Sequence, residues 1–368
     1  MTNARWTIAI DRDDIRRAEI APLAPATLVD SQIVVAITGY AMTANNITYA
    51  ALGKPMGLFG NHQGYWDFFS APGGPGHLPV WGFATVTASK AEGVEVGDDY
   101  YGYYPMASHA VLNVAKASAN GFTDVTPQRT TLPPIYNQYQ RVKALGDYRA
   151  EHRDLWPIFR PLFLTGWLIA DLLEDEGDYG AAQILIASAS SKTAICLGFA
   201  QARRGSPHAR TVGLTSFTSV ANLAKRGVYD AVMGYDDISA LDPAVPCVLI
   251  DMAGNGAVTA AVHQHFGDAL RASIIVGKSH WDASPNQTTL PGANRQGFFA
   301  PGRAQKRIAD WGGAEFGRRM AAAWLAFMDI APTLTSPDHR SGSAAALAAY
   351  QEMLGGKADP AKGLLIAP

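Results

Sequence analysis

The stretch Ala187-Ser188-Ala189-Ser190-Ser191-Lys192-Thr193 holds the densest set of groups able to bind a phosphate in this sequence of 368 residues. It follows a short apolar run, Gln183 to Ala187, and opens a segment of helical character, Lys192 to Arg204. Exposed backbone N–H groups at a helix N-terminus favour an anion. Ser188, Ser190, Ser191 and Thr193 add hydroxyls, and Lys192 adds a charge. Ser and Thr are also ordinary N-caps, so the alternative reading is a capped helix start with no ligand. Ser191-Lys192-Thr193 resembles the end of the P-loop pattern G-x-x-x-x-G-K-[ST], but both glycines are missing, which argues against a nucleotide hydrolase.

Metal chemistry finds less support. No cysteine stands in the first 155 residues, and the histidines there, His62, His77 and His109, are 15 and 32 positions apart, which fits no local ligand motif. His263 and His265 lie two apart on an expected helix and so face different directions, as surface residues would. The two cysteines, Cys196 and Cys247, sit in apolar runs and read as small buried hydrophobes rather than a disulfide scaffold. Between Tyr65 and Tyr104, ten of forty residues are aromatic, among them Trp66 and Trp81. Such a cluster either lines a pocket for an apolar ligand or forms a domain's own core.

The elements that must position these groups fall into two parts, in keeping with a length of about two domains of ~100–200 residues each. Residues 1 to about 155 are rich in Gly, Pro and aromatics, with short β-like runs such as 31–38 and 79–88. From about Pro157 the pattern alternates. Apolar strands are expected at 183–187, 211–215, 229–234, 247–252 and 272–277, separated by helices, with a first helix at 161–174 and one long helix at 303–329. Continuous apolar strands alternating with helices imply an α/β, doubly wound parallel sheet, which binds ligands beyond its carboxyl edge. With 48% hydrophobic and 17% charged residues and a net charge of -2, the sequence fits neither a disordered chain nor a nucleic-acid binder. The charged N-terminus lacks a signal-peptide core, and no uncharged run reaches the ~18 residues of a membrane span. A soluble cytoplasmic protein with a small-molecule substrate, and with neither nucleic-acid nor membrane partners, is the expectation.

The order of elements resembles the medium-chain dehydrogenase/reductase superfamily, in its zinc-free quinone-oxidoreductase and enoyl-reductase branch. Val96 to Gly102 resembles that family's G-D-x-V-x-G hairpin, and Thr165-Gly166 the pair in the helix that opens its nucleotide domain. Gln183 to Ala200 stands where the family has V-x-G-A-x-G-G-V-G, and Val248 to Gly254 resembles V-x-D-x-x-G. Gly342 to Ile366 resembles the closing helix and strand. More narrowly, Asn45 to Tyr49, Pro79 to Phe83 and Tyr103 to Met106 are similar to an uncharacterised bacterial and fungal subgroup known as a domain of unknown function. The resemblance implies a mostly β, GroES-like domain over 1–156, completed by 330–368, and a Rossmann-like domain over 157–329. The departure is the turn, where Ser and Ala replace glycines that allow a tight bend and close approach to a pyrophosphate.

The resemblance also implies roles. Thr165, Ser188, Ser190, Ser191, Lys192, Thr193, Asp251 and Gly277 would contact a dinucleotide. The second strand ends Thr215-Ser216 without the acid that holds NAD ribose hydroxyls, so Ser216 and Lys225 would suit the 2′-phosphate of NADP(H). A plain helix cap with a solvated Lys225-Arg226 pair fits as well. The family's zinc ligands are absent, so polarisation and proton supply fall to side chains. Tyr49 is the leading proton donor, with Asn45 or Asn46 orienting substrate; Tyr104 and His280 are further candidates, and Tyr65, Trp66, Trp81, His109 and Trp281 would line the pocket. The leading expectation is an NADPH-dependent, zinc-free reductase of an activated alkene, quinone or ketone. A lyase or hydrolase on a scaffold that has lost redox use, and a non-catalytic binding protein, remain open. By analogy the protein would pair as a homodimer along the edge 272–277.

Overall fold

The computed structural model describes residues 5–54, 64–71, 73–277 and 289–368. The chain forms two compact units, residues 1–158 with 335–368, and residues 159–334, and the boundary falls within the helix Leu155–Asp175.

The first unit is mostly β. Its longest-reaching strand, Gln32–Met42, pairs antiparallel with Pro79–Ser89 and, through Gln32–Ala36, with His109–Ser118. From Pro79–Ser89 the ladder runs through Asp99–Pro105, Gln138–Arg141 and Gly121–Asp124 back to His109–Ser118, so the sheet closes into a barrel. Closure leaves these strands no free edge to aggregate along. Beyond the barrel, Tyr40–Ile366 and Met42–Leu364 pairing joins Gln32–Met42 to the terminal strand Lys362–Ala367, which in turn pairs parallel with Ser336–Ser341. Inside lies a buried ion pair, Arg129 Nη1 to Asp124 Oδ2 at 2.5 Å, with the guanidinium also 4.6 Å from the Phe69 ring centre. Arg129 further donates to the Tyr136 carbonyl and to the Asn137 side chain, so no donor-rich charge is left bare in the core.

The second unit is a parallel sheet in the spatial order Ala231–Gly234, Arg210–Thr215, Gln183–Ala187, Cys247–Asp251, Leu270–Ile275, Arg295–Gly297. Numbered along the chain this is 3-2-1-4-5-6, the doubly wound order. Because crossovers are right-handed, reversing direction at the first strand puts helices on opposite faces. The central strands are therefore covered on both sides, which is why Gln183–Ala187 and Cys247–Asp251 are buried along their whole length. Leu185, Val212, Leu214, Leu249, Val262 and Phe266 form the core of this unit. The fold class is thus the expected α/β doubly wound sheet with a mostly β, GroES-like partner.

Three expectations are corrected. Leu270–Ile275 is not an edge, since Arg295–Gly297 pairs alongside it. The helix expected over 303–329 is two, Ala300–Trp311 and Gly313–Met328, because Gly312 adopts φ +84. His263 is buried, not exposed: its Nδ1 meets the Pro291 carbonyl at 2.8 Å and its Nε2 the Ser273 hydroxyl at 2.9 Å.

Gly166 sets the spacing between Leu155–Asp175 and the helix Lys192–Gln201. A Cβ there would come 2.6 Å from the Leu197 backbone nitrogen and 2.9 Å from the Cys196 carbonyl carbon. Backbone cannot swing aside as a side-chain tip can. Gly166→Ala should lower stability by about 1–3 kcal/mol, despite alanine's better helix propensity, as read from the midpoint of urea denaturation.

Candidate functional site

In the second unit, the first strand leaves the sheet through Ser188, whose φ is +56. A residue with a Cβ enters this left-handed region only at a cost of roughly 1–2 kcal/mol. The bend is held from several sides. The Ala189 amide donates to the Leu214 carbonyl at 3.0 Å, the Ser191 amide to the Ser188 carbonyl at 2.9 Å, and the Tyr229 hydroxyl to the Ala189 carbonyl at 2.8 Å. The small residues are required by the close approach of the second strand: a Cβ on Gly213 would lie 2.9 Å from the Ala189 Cβ. Ser191 caps the helix Lys192–Gln201, its hydroxyl accepting from the Ala194 amide at 3.3 Å. The amides of Lys192 and Thr193 stand in the first turn, before the first intrahelical bond. Ser188, Ser190, Ser191, Lys192 and Thr193 are all half-buried, and no acid stands in the first turn to balance the positive end of the helix. The Ser190 hydroxyl accepts from Thr215 at 3.3 Å. The turn thus brings together hydroxyls, amides and one lysine at the carboxyl edge of the sheet.

Other expected contacts separate from this group. Ser216 is exposed beyond the second strand, its hydroxyl bonded to Ser219 and Thr218 at 3.0 and 3.3 Å, and the next residue, Phe217, is 81% exposed. Lys225 stands at the other end of the helix Phe217–Lys225, roughly 13 Å along its axis at 1.5 Å per residue, so the two are not brought together. Arg226 donates to the Leu334 carbonyl at 3.0 Å. Asp251 is buried, and its carboxylate accepts from the Ala253 and Gly254 amides at 3.1 and 2.9 Å and from the Thr259 hydroxyl at 2.9 Å. It therefore shapes the turn after its own strand. The Thr165 hydroxyl donates back to the Pro161 carbonyl at 3.0 Å, within its helix. Gly277 is half-buried just past the strand Leu270–Ile275. His280 and Trp281, like His62, lie outside the described residues.

In the first unit, the helix Ala44–Ala51 follows directly on Gln32–Met42. Asn45 and Tyr49 are one turn apart on it, and the Asn45 amide donates to the Tyr49 hydroxyl oxygen at 2.6 Å. Asn46 is held within the fold: its Oδ1 accepts from the Thr43 amide at 2.8 Å and its Nδ2 donates to the Pro79 carbonyl at 2.9 Å, so it anchors the helix. Around Tyr49 stand Tyr65, with ring centres 4.4 Å apart, and Tyr103, edge-on at 5.7 Å. The Tyr65 and Tyr136 hydroxyls are 3.4 Å apart. Trp81 pairs opposite Tyr103 in the ladder, with ring centres 4.8 Å apart. Burial first of all raises the Tyr49 phenol above its ordinary value, and the Trp81, Tyr103 and Asn45 donors draw it partly back.

Tyr104 does not join them. Successive side chains of a strand point to opposite faces, so Tyr103 and Tyr104 diverge. Tyr104 is buried against Tyr139 at 5.2 Å and donates to the Tyr100 carbonyl at 3.1 Å, which makes it core. Trp66 is core too, packed where a Cβ on Gly53 or Gly76 would strike its ring. His109 lines a different cleft, of about 180 Å³, with His77, Thr7, Arg5 and Phe69. Burial lowers both histidines below the usual imidazole value. Tyr103 and Tyr136 were not singled out from sequence; the alternation along Tyr101 and Tyr103 opposite Trp81 was the available signal for the former, while Tyr136 reaches the group only through tertiary packing. Among the described residues, no group of three or more His, Cys, Asp or Glu is placed to hold a metal ion, and no helix is long and apolar enough to cross a membrane.

A family profile matches residues 40–359. The chain belongs to that family, DUF2855, described as a protein of unknown function. No protein of curated function matches it by sequence. Solved structures match the whole fold at low identity. CurA from Vibrio vulnificus, solved in complex with NADPH, is 13% identical with a TM-score of 0.62, over 98% of both chains. A proposed NADPH:quinone reductase of Mesorhizobium loti is 12% identical with a TM-score of 0.62, over 100% of this chain and 99% of that one. The yhdH oxidoreductase from Salmonella enterica, in complex with NADP, is 12% identical with a TM-score of 0.54, over 99% of both chains. This DUF2855 chain therefore has the medium-chain dehydrogenase/reductase fold.

The left-handed serine yields a direct test. Ser188→Gly should raise stability by up to ~1 kcal/mol in urea denaturation, since glycine enters this φ without the Cβ clash. Ser188→Val should lower it, because a branched side chain fits the region worst.

Proposed function

We propose that this protein is an NADPH-dependent, zinc-independent reductase of an activated alkene, quinone or ketone with a bulky apolar or aromatic body. The observation that carries the reading is the Ser188 turn, a strained bend at the carboxyl edge of a 3-2-1-4-5-6 sheet that opens a helix with half-buried hydroxyls and Lys192. It has what a pyrophosphate needs: small side chains, amides at a helix N-terminus and no acid. NADP is favoured over NAD because the second strand ends in Thr215-Ser216, with the Thr218 and Ser219 hydroxyls beside it, where an acid would hold a ribose. The same fold is found in proteins solved with NADPH or NADP.

When bound, the nicotinamide supplies a hydride. Ser190, Ser191, Lys192 and Thr193 bind the phosphates. Tyr49 supplies the proton. Its oxygen already accepts from Asn45, so the phenolic hydrogen is left for a substrate oxygen. Its raised pKa keeps it protonated, as an acid must be before it acts. The aromatic surroundings suit an apolar substrate better than a small anion.

Titration of intrinsic fluorescence with NADPH should saturate; no change at about 1 mM, where any affinity better than ~4 kcal/mol registers, would overturn the cofactor assignment. Turnover without cofactor would do the same for the redox reading. Tyr49→Phe should lower kcat by roughly 10²–10⁴ with KM little changed. The active form of Tyr49 is the protonated one and its pKa is raised, so the wild-type rate should not fall on the alkaline side until above pH ~10. A limb set by Tyr49 near pH 8 is the contrary result.

A further inference from the structure

We propose that Asn45, Trp81 and Tyr103 form a preorganised cradle of donors that holds the Tyr49 oxygen as a phenolate after its proton has left. This rests on Tyr49 being the proton donor, but its physical content is independent of which substrate receives the proton.

Two donors of the aromatic cluster are buried without partners. The Trp81 indole N–H and the Tyr103 hydroxyl are shut off from solvent, and neither has a hydrogen bond of good geometry. A buried donor without a partner is a cost that folded proteins seldom retain without a use. The two are not scattered. Trp81 and Tyr103 are cross-strand partners, the Tyr103 ring stands edge-on to Tyr49 at 90°, and both donors lie close enough to the Tyr49 oxygen to favour its ionised form. Asn45 already donates to that oxygen at 2.6 Å. So one donor already bonds an atom that is neutral at rest and offers a weak acceptor, and two unpartnered donors stand in the ring cluster beside it. Ionising it turns the weak acceptor into a strong one, and donors fixed beforehand need no reorganisation at that moment. Of the other groups around Tyr49, Tyr65 and Tyr136 are phenols, and the buried Arg129 of this unit is paired with Asp124.

The balance is simple. The substrate takes a hydride from NADPH and a proton from Tyr49. The O–H bond of Tyr49 breaks, its electron pair stays on Oη, and water returns the proton afterwards. Asn45, Trp81 and Tyr103 are positioning residues.

Tyr103→Phe removes one donor and keeps the ring; Trp81→Phe removes the other and replaces the indole with a smaller phenyl ring, so Tyr103→Phe is the cleaner of the two. Tyrosine labelled at 13Cζ would report ionisation by NMR, with the Tyr49 signal assigned by its loss in Tyr49→Phe. The expected result is an upward shift of the Tyr49 pKa by about one unit in each variant, with a kcat lower by about tenfold and little change in KM. Thermal stability should be unchanged or higher in Tyr103→Phe, because an unpaired buried hydroxyl is removed. A merely structural hydroxyl would instead lower Tm on removal. An unmoved Tyr49 titration in both folded variants overturns the cradle. A shifted titration with unchanged kcat keeps the cradle and overturns Tyr49 as the proton donor.

Discussion

The strand Gln32–Met42 is the constraint on which the first unit depends. Its first half pairs with His109–Asn113 and closes the barrel, Ile33 to Tyr40 pair with Ser89 to Gly82 on the other side, and its last residues take the terminal strand. One chain segment therefore has three ladder partners separated from it by tens to hundreds of residues. The helix bearing Asn45 and Tyr49 starts two residues after this strand ends, so its place is fixed by the barrel beneath it and by the Asn46 bond to Pro79. The next strand over, Asp99–Pro105, sets Tyr103 against Trp81 by register alone. A slip of one residue would exchange Tyr103 for Tyr104 and empty the donor group around Tyr49.

The second unit depends on small side chains. Gly213, Ala189, Gly166 and Gly198 mark the places where backbone meets backbone or a tyrosine ring, and a Cβ at each glycine would come within 3 Å of a neighbour. This packing pins the Ser188 bend. The missing glycines of the turn had argued against a tight bend, yet the bend is present, with Ser188 in the left-handed region. The bonds of Ala189, Ser191 and Tyr229 offset its strain. Serine in place of glycine leaves a hydroxyl at the bend, so a conformational cost accompanies a polar group where an anion would approach.

Charge is scarce in both settings, and that scarcity has chemical consequences. Around Tyr49 the described polar groups are phenols, an indole and an amide, so burial raises the phenol without a nearby carboxylate or cation to dominate it. At the Ser188 turn the only cation of the group is Lys192, and the rest of the attraction for an anion comes from backbone and hydroxyl dipoles.

Much of the second unit was legible in the sequence, because strands covered on both faces must be continuously apolar: Gln183–Ala187 and Cys247–Asp251 stand out for that reason. The short polar strands Arg295–Gly297 and Ser336–Ser341 were not, since their side chains carry no apolar signal and only the partner strand defines them. Residue types alone determined the low charge, the hydroxyl-rich turn and the lack of an acid after the second strand; the helix that pairs Asn45 with Tyr49 was not expected in a domain read as mostly β. Tertiary structure alone decided that Asn46, Tyr104, Trp66 and Asp251 are structural, and that Trp81 and Tyr103 converge on Tyr49. The reason is physical: helical neighbours lie three or four residues apart, whereas the partners of a barrel residue are set by ladder register between distant segments, which no local pattern encodes.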